Sequence, residues 1–556
     1  MQRSVPARVF DRYPQDGDSA MNWDYIVVGA GSAGCAVASR LSEDPSNRVL
    51  LLDAGGRDWS AAIHVPAGII FGRNRYDWSY PGEPDASRGG IEDVWSAGNT
   101  FGGSSAINGM MYVRGNALDF DSWAQAGCDG WDYKSVLPYF RRMETWEDGE
   151  SEWRGGDGPV HIVRDPVRHP LAEAFIEAAS ESGYPINDDY NGRQQDGVAV
   201  VQANQRCGLR HTAARAYLGW GRRRANLRII QRSRVDKILF DGNRAIGVRY
   251  TRGDRVEEAR CRREVVVSAG ALISPKLLML SGIGEASQLQ EFGIETLCDR
   301  PGVGRNLQEH AVTALSFEAG VRTLNTEKVF SLRAIGHAYN YLFHHRGPLA
   351  ASVGAAQLFC KSNAAEPRPD LQVIFVPMGY KFVETKTTVE LQMHPKPHMT
   401  VAITALHTKN RGSIRLRSAD PEDNPRIHFE LLGTDDVIEK LMAGCRIVRA
   451  ISGKQALQQF IVEESLPGVA LETDDEEGWE EYLREGSYRG DHPCGTCKMG
   501  GKDDPLAVVD PELRVIGVDG LRVADASVMP TVVSGNTNAA VMMIGEHAAD
   551  LIARSR

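Results

Sequence analysis

The chain has 556 residues, which at about 100–200 residues per domain predicts two to four domains. Hydrophobic residues make up 42% and charged residues 24%, with a net charge of −10. These are values of an ordinary globular chain, and they argue against a general nucleic-acid binder, whose affinity rests on Lys and Arg against phosphate. No stretch approaches the roughly 20 apolar residues of a helical membrane span, and the composition fits neither collagen nor disorder.

In chain order, residues 1–20 (MQRSVPARVFDRYPQDGDSA) carry no apolar core of a secretory signal, and they read as a disordered polar leader outside the fold. Residues 22–30, NWDYIVVGA, form a short apolar run predicted as a buried parallel strand. Gly29-Ala30-Gly31-Ser32-Ala33-Gly34 follows, then CAVASRLSE with helical spacing, then a second buried strand, RVLLLD, ending at Asp53-Ala54. Asp53 stands nineteen residues after Gly34. This is the dinucleotide fingerprint in its full context: a tight turn, a close approach to a pyrophosphate, a helix N-terminus facing the phosphates, and an acid for the ribose hydroxyls. The fingerprint alone leaves FAD and NAD open.

Beyond Asp53 no further βαβ units repeat. A second glycine cluster spans Gly98 to Gly109 and includes Gly102, Gly103 and Asn108; its small side chains permit close contact with a flat ligand. Residues 265–284, VVVSAGALISPKLLMLSGIG, read as strand, turn, helix and turn. Strand-like runs at 370–378, 399–406 and 412–418 establish only an α+β segment. Cys494-x-x-Cys497 has no second pair to complete a zinc site, so it reads as two incidental loop thiols. Near the C-terminus, GLRVADASVMP runs from a strand into a turn at Asp525-Ala526, and Asn536-Thr537-Asn538 opens the last, amphipathic helix. The nine scattered cysteines fit reduced thiols and a cytoplasmic protein, with peripheral association to a membrane left open.

Taken together these blocks resemble the glucose–methanol–choline (GMC) flavoprotein oxidoreductases. The resemblance runs from Tyr25 to Ile552 and includes PGVGRNL at 301–307. It is closest to the choline dehydrogenase branch, through NGMMYVRGNALDFDSWAQ at 108–125, GGDGPV at 155–160 and HPCGTCKMG at 492–500. It implies an α/β plus α+β chain: a Rossmann-like FAD-binding domain with an antiparallel-sheet substrate domain, as in p-hydroxybenzoate hydroxylase. The FAD domain would comprise 21–157, 231–307 and 490–556, and the substrate domain 158–230 and 308–489.

On this resemblance Gly29, Gly31, Ser32, Ala33, Gly34, Asp53 and Ala54 hold the ADP half of FAD, and the Val235 backbone contacts the adenine. Gly102, Gly103, Asn108, Gly109, Asp525, Ala526, Asn536, Thr537 and Asn538 surround the rest of the cofactor. Some relatives attach FAD through a histidine where this chain has Ile107, so the flavin is expected to be non-covalent. His492 and Asn536 match the family's catalytic pair, a base for the alcohol proton and an amide donor to the alkoxide, with hydride passing to flavin N5. His310 and His547 read as structural.

The implied activity is oxidation of a primary alcohol, choline-like or otherwise, to the aldehyde. A quinone, an artificial acceptor or O2 would then take the electrons. An oxidase producing peroxide is the alternative, and a non-redox FAD lyase stands further off. Asp491, beside His492, reads either as a pocket carboxylate that favours a cationic alcohol and raises the His492 pKa, or as a solvated loop residue.

Overall fold

The computed structural model describes residues 23–167, 169–219, 224–326, 332–384 and 389–555, so the expected leader over 1–20 lies outside the described residues. Two sheets dominate. The first begins with Trp23–Val28, every residue of which is buried, as a strand covered on both faces must be. It pairs in parallel with Val49–Asp53 on one side and with the end of Arg255–Val267 on the other. Leu227–Gln231 and Leu521–Val523 extend the sheet at its two edges, both in parallel.

Arg255–Val267 belongs to two environments. Its first half is mostly exposed and pairs antiparallel with Arg244–Arg252. Its last three residues, all Val, turn fully buried where they enter the parallel sheet. The expected boundary at 230/231 therefore needs correction. Leu227–Gln231 lies alongside Val49–Asp53 as part of the nucleotide sheet, and a boundary at 231 would cut through it.

The Ser32–Leu41 helix packs against the long final helix, Asn538–Arg554. A Cβ added at Gly545 would lie 2.6 Å from the Ala33 carbonyl, so only glycine permits this closeness. Arg40 and Arg142 both meet the fully buried Glu546 at 2.8 Å, neutralising its charge between the helices.

The second sheet is antiparallel, in the order Ile461–Leu466, Ala311–Ala319, His398–Ala405, Leu371–Val376, Ala356–Cys360, Gly197–Val200. It forms a roof over the C-terminal edge of the nucleotide sheet. Residues two apart point to one face of a strand. That periodicity brings Gln372, Ile374 and Val376, with Ala402 and Thr404 across the ladder and Val312 beyond, to the underside of the roof, where all six line the central cavity.

Candidate active site

A cavity of about 1450 Å3 separates the two sheets. Gly29, Gly31, Ser32, Ala33, Asp53, Ala54, Gly103, Asn108, Gly109, Val235, Asp525, Ala526, Asn536, Thr537, Asn538 and His492 all line it. Gly34 and Gly102 do not, and each has a different task. A Cβ at Gly34 would sit 1.9 Å from the Gly29 carbonyl, so this glycine lets the helix close onto the turn. Gly102, at φ +98, donates its N–H to the Ala30 carbonyl at 3.0 Å and holds two loops together.

The three fingerprint glycines divide the work. Gly29 has φ +99, and a Cβ there would strike the Ser268 carbonyl at 2.4 Å. A Cβ on Gly31 would meet nothing within 4 Å, because it would project into the cavity itself. That is a cradle shaped for close approach of a phosphate to backbone N–H groups. Ser32 Oγ donates to Asn538 Oδ1 at 2.6 Å, so the first turns of both helices meet at the same stretch of wall. Both helix N-termini favour negative charge there.

Asp53 is 8% exposed, with Oδ2 accepting from Ala30 N–H at 2.7 Å and Oδ1 from Gly55 N–H at 2.9 Å. Burial raises its pKa against those two bonds. Each oxygen keeps a lone pair for a ribose hydroxyl. Asp525 is held in the same manner, accepting from Gly270 N–H, Ser274 Oγ and Ser527 N–H at 2.9, 2.6 and 2.8 Å. It thereby orders the turn rather than offering a free charge. The extended shape, the open Gly31 wall and the paired helix N-termini fit an extended dinucleotide such as FAD.

At the other end of the cavity, Asn536 Nδ2 lies 3.1 Å from His492 Nε2, and Gln372 Nε2 donates to Asn536 Oδ1 at 3.2 Å. An amide nitrogen only donates, so His492 Nε2 must hold its lone pair toward Asn536 and the cavity. The ring proton then sits on Nδ1, which is 2.9 Å from His310 Nδ1. Two facing ring nitrogens can share only one proton, so His310 accepts there. The reading of His310 as purely structural is thereby corrected: its fully buried ring fixes the tautomer of His492. His547 keeps its structural role, packed 4.5 Å from the rings of both Trp131 and Tyr139.

Burial pushes His492 down to about 4, opposed by the Asp491 charge. Burial, with His492 next in effect, also holds His310 well below its usual value. The His492 backbone N–H donates to Glu309, whose Oε1 also accepts from His310 N–H at 2.8 Å. Burial raises Glu309 to about 8 against the pull of Arg489.

Asp491 meets the first sequence reading in part, as a pocket carboxylate whose charge raises the His492 pKa, but not as a receptor for a cation. It lines the cavity, but Arg73 bonds it directly and Arg489 stands 3.3 Å away. Two cations compensate it, so it is not an open receptor for a third. Arg210 was also missed: it is 1% exposed, lines the cavity, and spends Nη1 on both the carbonyl and the side chain of Asn108, at 2.7 and 2.9 Å. Gln372 had a sequence signal in hindsight, an uncharged polar residue inside the otherwise apolar run LQVIFV. Glu309 and His310 had only their place behind the PGVGRNL block. Cys494 and Cys497 are free thiols in the irregular segment between Tyr488–Arg489 and Leu521–Val523, as expected of loop residues, though both are fully buried, and no metal-holding cluster occurs among the described residues.

Two segments, 23–312 and 408–545, match the GMC oxidoreductase family. The oxygen-dependent choline dehydrogenase of Sinorhizobium fredii is 43% identical over 543 residues, covering 96% of each chain. That of Brucella ovis is 40% identical over 539 residues, again covering 96% of each. Among solved structures, pyridoxine 4-oxidase from Mesorbium loti superposes with a TM-score of 0.85 at 32% identity, covering 95% of this chain and 99% of the other.

Proposed function

The chain belongs to the GMC oxidoreductase family, and from that premise we propose that it oxidises an uncharged primary alcohol to the aldehyde, with non-covalent FAD, His492 as base and a quinone, an artificial acceptor or O2 taking the electrons. It is an FAD-dependent oxidoreductase acting on the CH–OH group of donors. The observation that carries the finer reading is the His492–Asn536 contact beneath a neutral roof.

A hydroxyl oxygen within hydrogen-bond reach of both His492 Nε2 and Asn536 Nδ2 can donate its proton to the first and accept from the second. His492 removes that proton. Asn536, its carbonyl held by Gln372, directs an N–H at the alkoxide as charge develops. His492 Nδ1–H stays on His310 throughout, which keeps Nε2 aimed at the substrate. Asp491 then favours the resulting imidazolium. FAD, when bound along the wall from Val235 to Asn538, supplies the acceptor for the hydride that leaves the carbon. Ile107, 5% exposed on that wall, offers no nucleophile for a covalent link.

The substrate reading rests on charge. The roof residues over the catalytic pair are Val312, Gln372, Ile374, Val376, Ala402 and Thr404, none of them charged. The cavity-lining carboxylate beside the base, Asp491, is already compensated by two arginines. A quaternary ammonium seeks an aromatic cage or a free carboxylate; the six roof residues supply neither and suit a neutral, partly apolar alcohol, while the aromatic residues of the cavity, Trp78, Tyr80, Tyr380 and Tyr488, lie outside that roof.

Anaerobic bleaching of the bound flavin by choline and by an uncharged aromatic primary alcohol tests this directly. Faster bleaching by the neutral alcohol is expected, and faster bleaching by choline would overturn it. Choline is the second reading, favoured by the names of the relatives at 40–43% identity. Oxygen as acceptor is favoured by the oxidase among the structural neighbours. Peroxide formed in step with aldehyde would establish oxygen, and its absence while a dye is reduced would establish another acceptor.

A further inference from the structure

The helix Leu332–His344 has two unlike faces. Ala334, His337 and Ala338 line the cavity, and Tyr341, 9% exposed, bonds the Gly208 carbonyl at 3.1 Å. The opposite face carries Ile335, Leu342 and Phe343, each 67% exposed, and Tyr339, 56% exposed, at the spacing of one helical stripe. The Tyr339 and Phe343 rings touch, with centroids 4.8 Å apart. Val353 and Met393, 41% and 38% exposed, line the cavity as well, so its mouth opens beside this helix. An apolar stripe in water at a cavity mouth marks an interaction surface.

The charge of the surrounding sequence identifies its occupant. The chain as a whole is acidic, yet no Asp or Glu occurs between Glu327 and Glu366. That stretch holds Lys328, Arg333, Arg346 and Lys361 with three histidines, and His344, His345 and Arg346 are exposed at the helix end. An apolar and aromatic stripe flanked by basic residues is the pattern of a helix lying in the headgroup region of an anionic bilayer. A second copy of the chain would set this basic segment against itself. No helix among the described residues is long and apolar enough to cross a membrane.

We propose that the exposed face of Leu332–His344 docks the protein on the surface of an anionic membrane, with the cavity mouth toward the lipid. Docking would place the mouth where a lipid-soluble acceptor or alcohol enters from the bilayer. The surface interaction does not depend on the substrate assignment above.

Sedimentation of the purified holoenzyme with vesicles of phosphatidylcholine alone, or with a third phosphatidylglycerol, tests it. Binding to the anionic vesicles, weakened by salt, is expected. Leu342→Ser/Phe343→Ser should weaken it about a hundredfold, from the loss of two buried apolar side chains. Turnover with a soluble dye should be unchanged, which shows that the variant folds and keeps its site. Failure to bind anionic vesicles, or undiminished binding by the variant, would overturn the proposal. So would a dimer in light scattering that the variant dissolves without any vesicle binding, since the face would then be a self-interface.

Discussion

The two ends of the cavity are built by different means. The end near Gly29, Gly31 and Asp53 is made of backbone: a turn, the first N–H groups of a helix, and a carboxylate locked by the Ala30 and Gly55 amides. The end near His492 is made of side chains from distant parts of the chain, with His310 and Asn536 meeting one imidazole, Gln372 holding Asn536, and Arg73 steadying the neighbouring Asp491. A backbone site must be contiguous, because successive amides point at one ligand. A side-chain site needs only that the fold deliver its members to one place. The first end should therefore control whether the cofactor stays, and the second how fast the proton leaves.

Substitutions that separate retention from rate sharpen that division, and those that move both together break it. His492→Ala removes the base and should slow substrate-driven flavin reduction by about 10²–10⁴-fold. Flavin content should stay at the level of the parent, which absorbance at the flavin band reports. Near-parental reduction rates would dismiss His492 as base, and a colourless protein would make it a cofactor anchor instead. Asn536→Ala should cost roughly 10²–10³-fold in the same step, the scale of removing one preorganised donor. Since Gln372 would lose its partner too, Gln372→Leu in the same assay shows how much of that loss is orientation.

Gly31→Leu addresses the opposite end. Its side chain would project into the space that a phosphate needs, where no protein atom lies within 4 Å. Overfilling costs roughly 1–3 kcal/mol, about 5- to 150-fold in cofactor affinity. The protein should fold with unchanged circular dichroism, and whatever flavin it retains should be reduced at the parental rate. Full flavin occupancy would show that the cofactor does not approach this turn.

The same contrast explains what was legible in the sequence. Gly29 to Gly34 and Asp53 could be placed because each serves a local geometry with a fixed offset along the chain. The strands at Leu371–Val376 and His398–Ala405 were visible as apolar runs, but their neighbours in the ladder are fixed by long-range pairing that no window contains. The expected boundary at 230/231 cut through Leu227–Gln231 for this reason: the strand it pairs with, Val49–Asp53, lies far back in the chain. His492 and Asn536 were found through a family motif, whereas His310 carries no local sign that its ring meets His492. Asp491 could be read from sequence as a charge beside Arg489, but not as one that Arg73 bonds, because Arg73 is far from it in the chain.

That compensated charge sets a smaller effect, one of pH. His492 acts only when neutral, and burial lowers it to about 4, so protonation of the base should not limit turnover between pH 8 and about 5. An acid limb near pH 6.5 would mean that the ring behaves as if exposed. Asp491 opposes the lowering, so removing its charge in Asp491→Asn should move the acid limb to lower pH, while Arg73 and Arg489, left uncompensated, push the same way. A limb moving upward would show that the Asp491 charge does not reach the base. The fold sets the lower bound of the measurement. His407, His492 and His547 are each held to about 3–4 by burial. A group whose folded pKa lies below its unfolded value stabilises above the unfolded value, near 6.5, and loses that contribution as pH falls toward the folded one. Circular dichroism at each pH therefore belongs beside the rate, and a limb that coincides with loss of helix reports unfolding rather than His492.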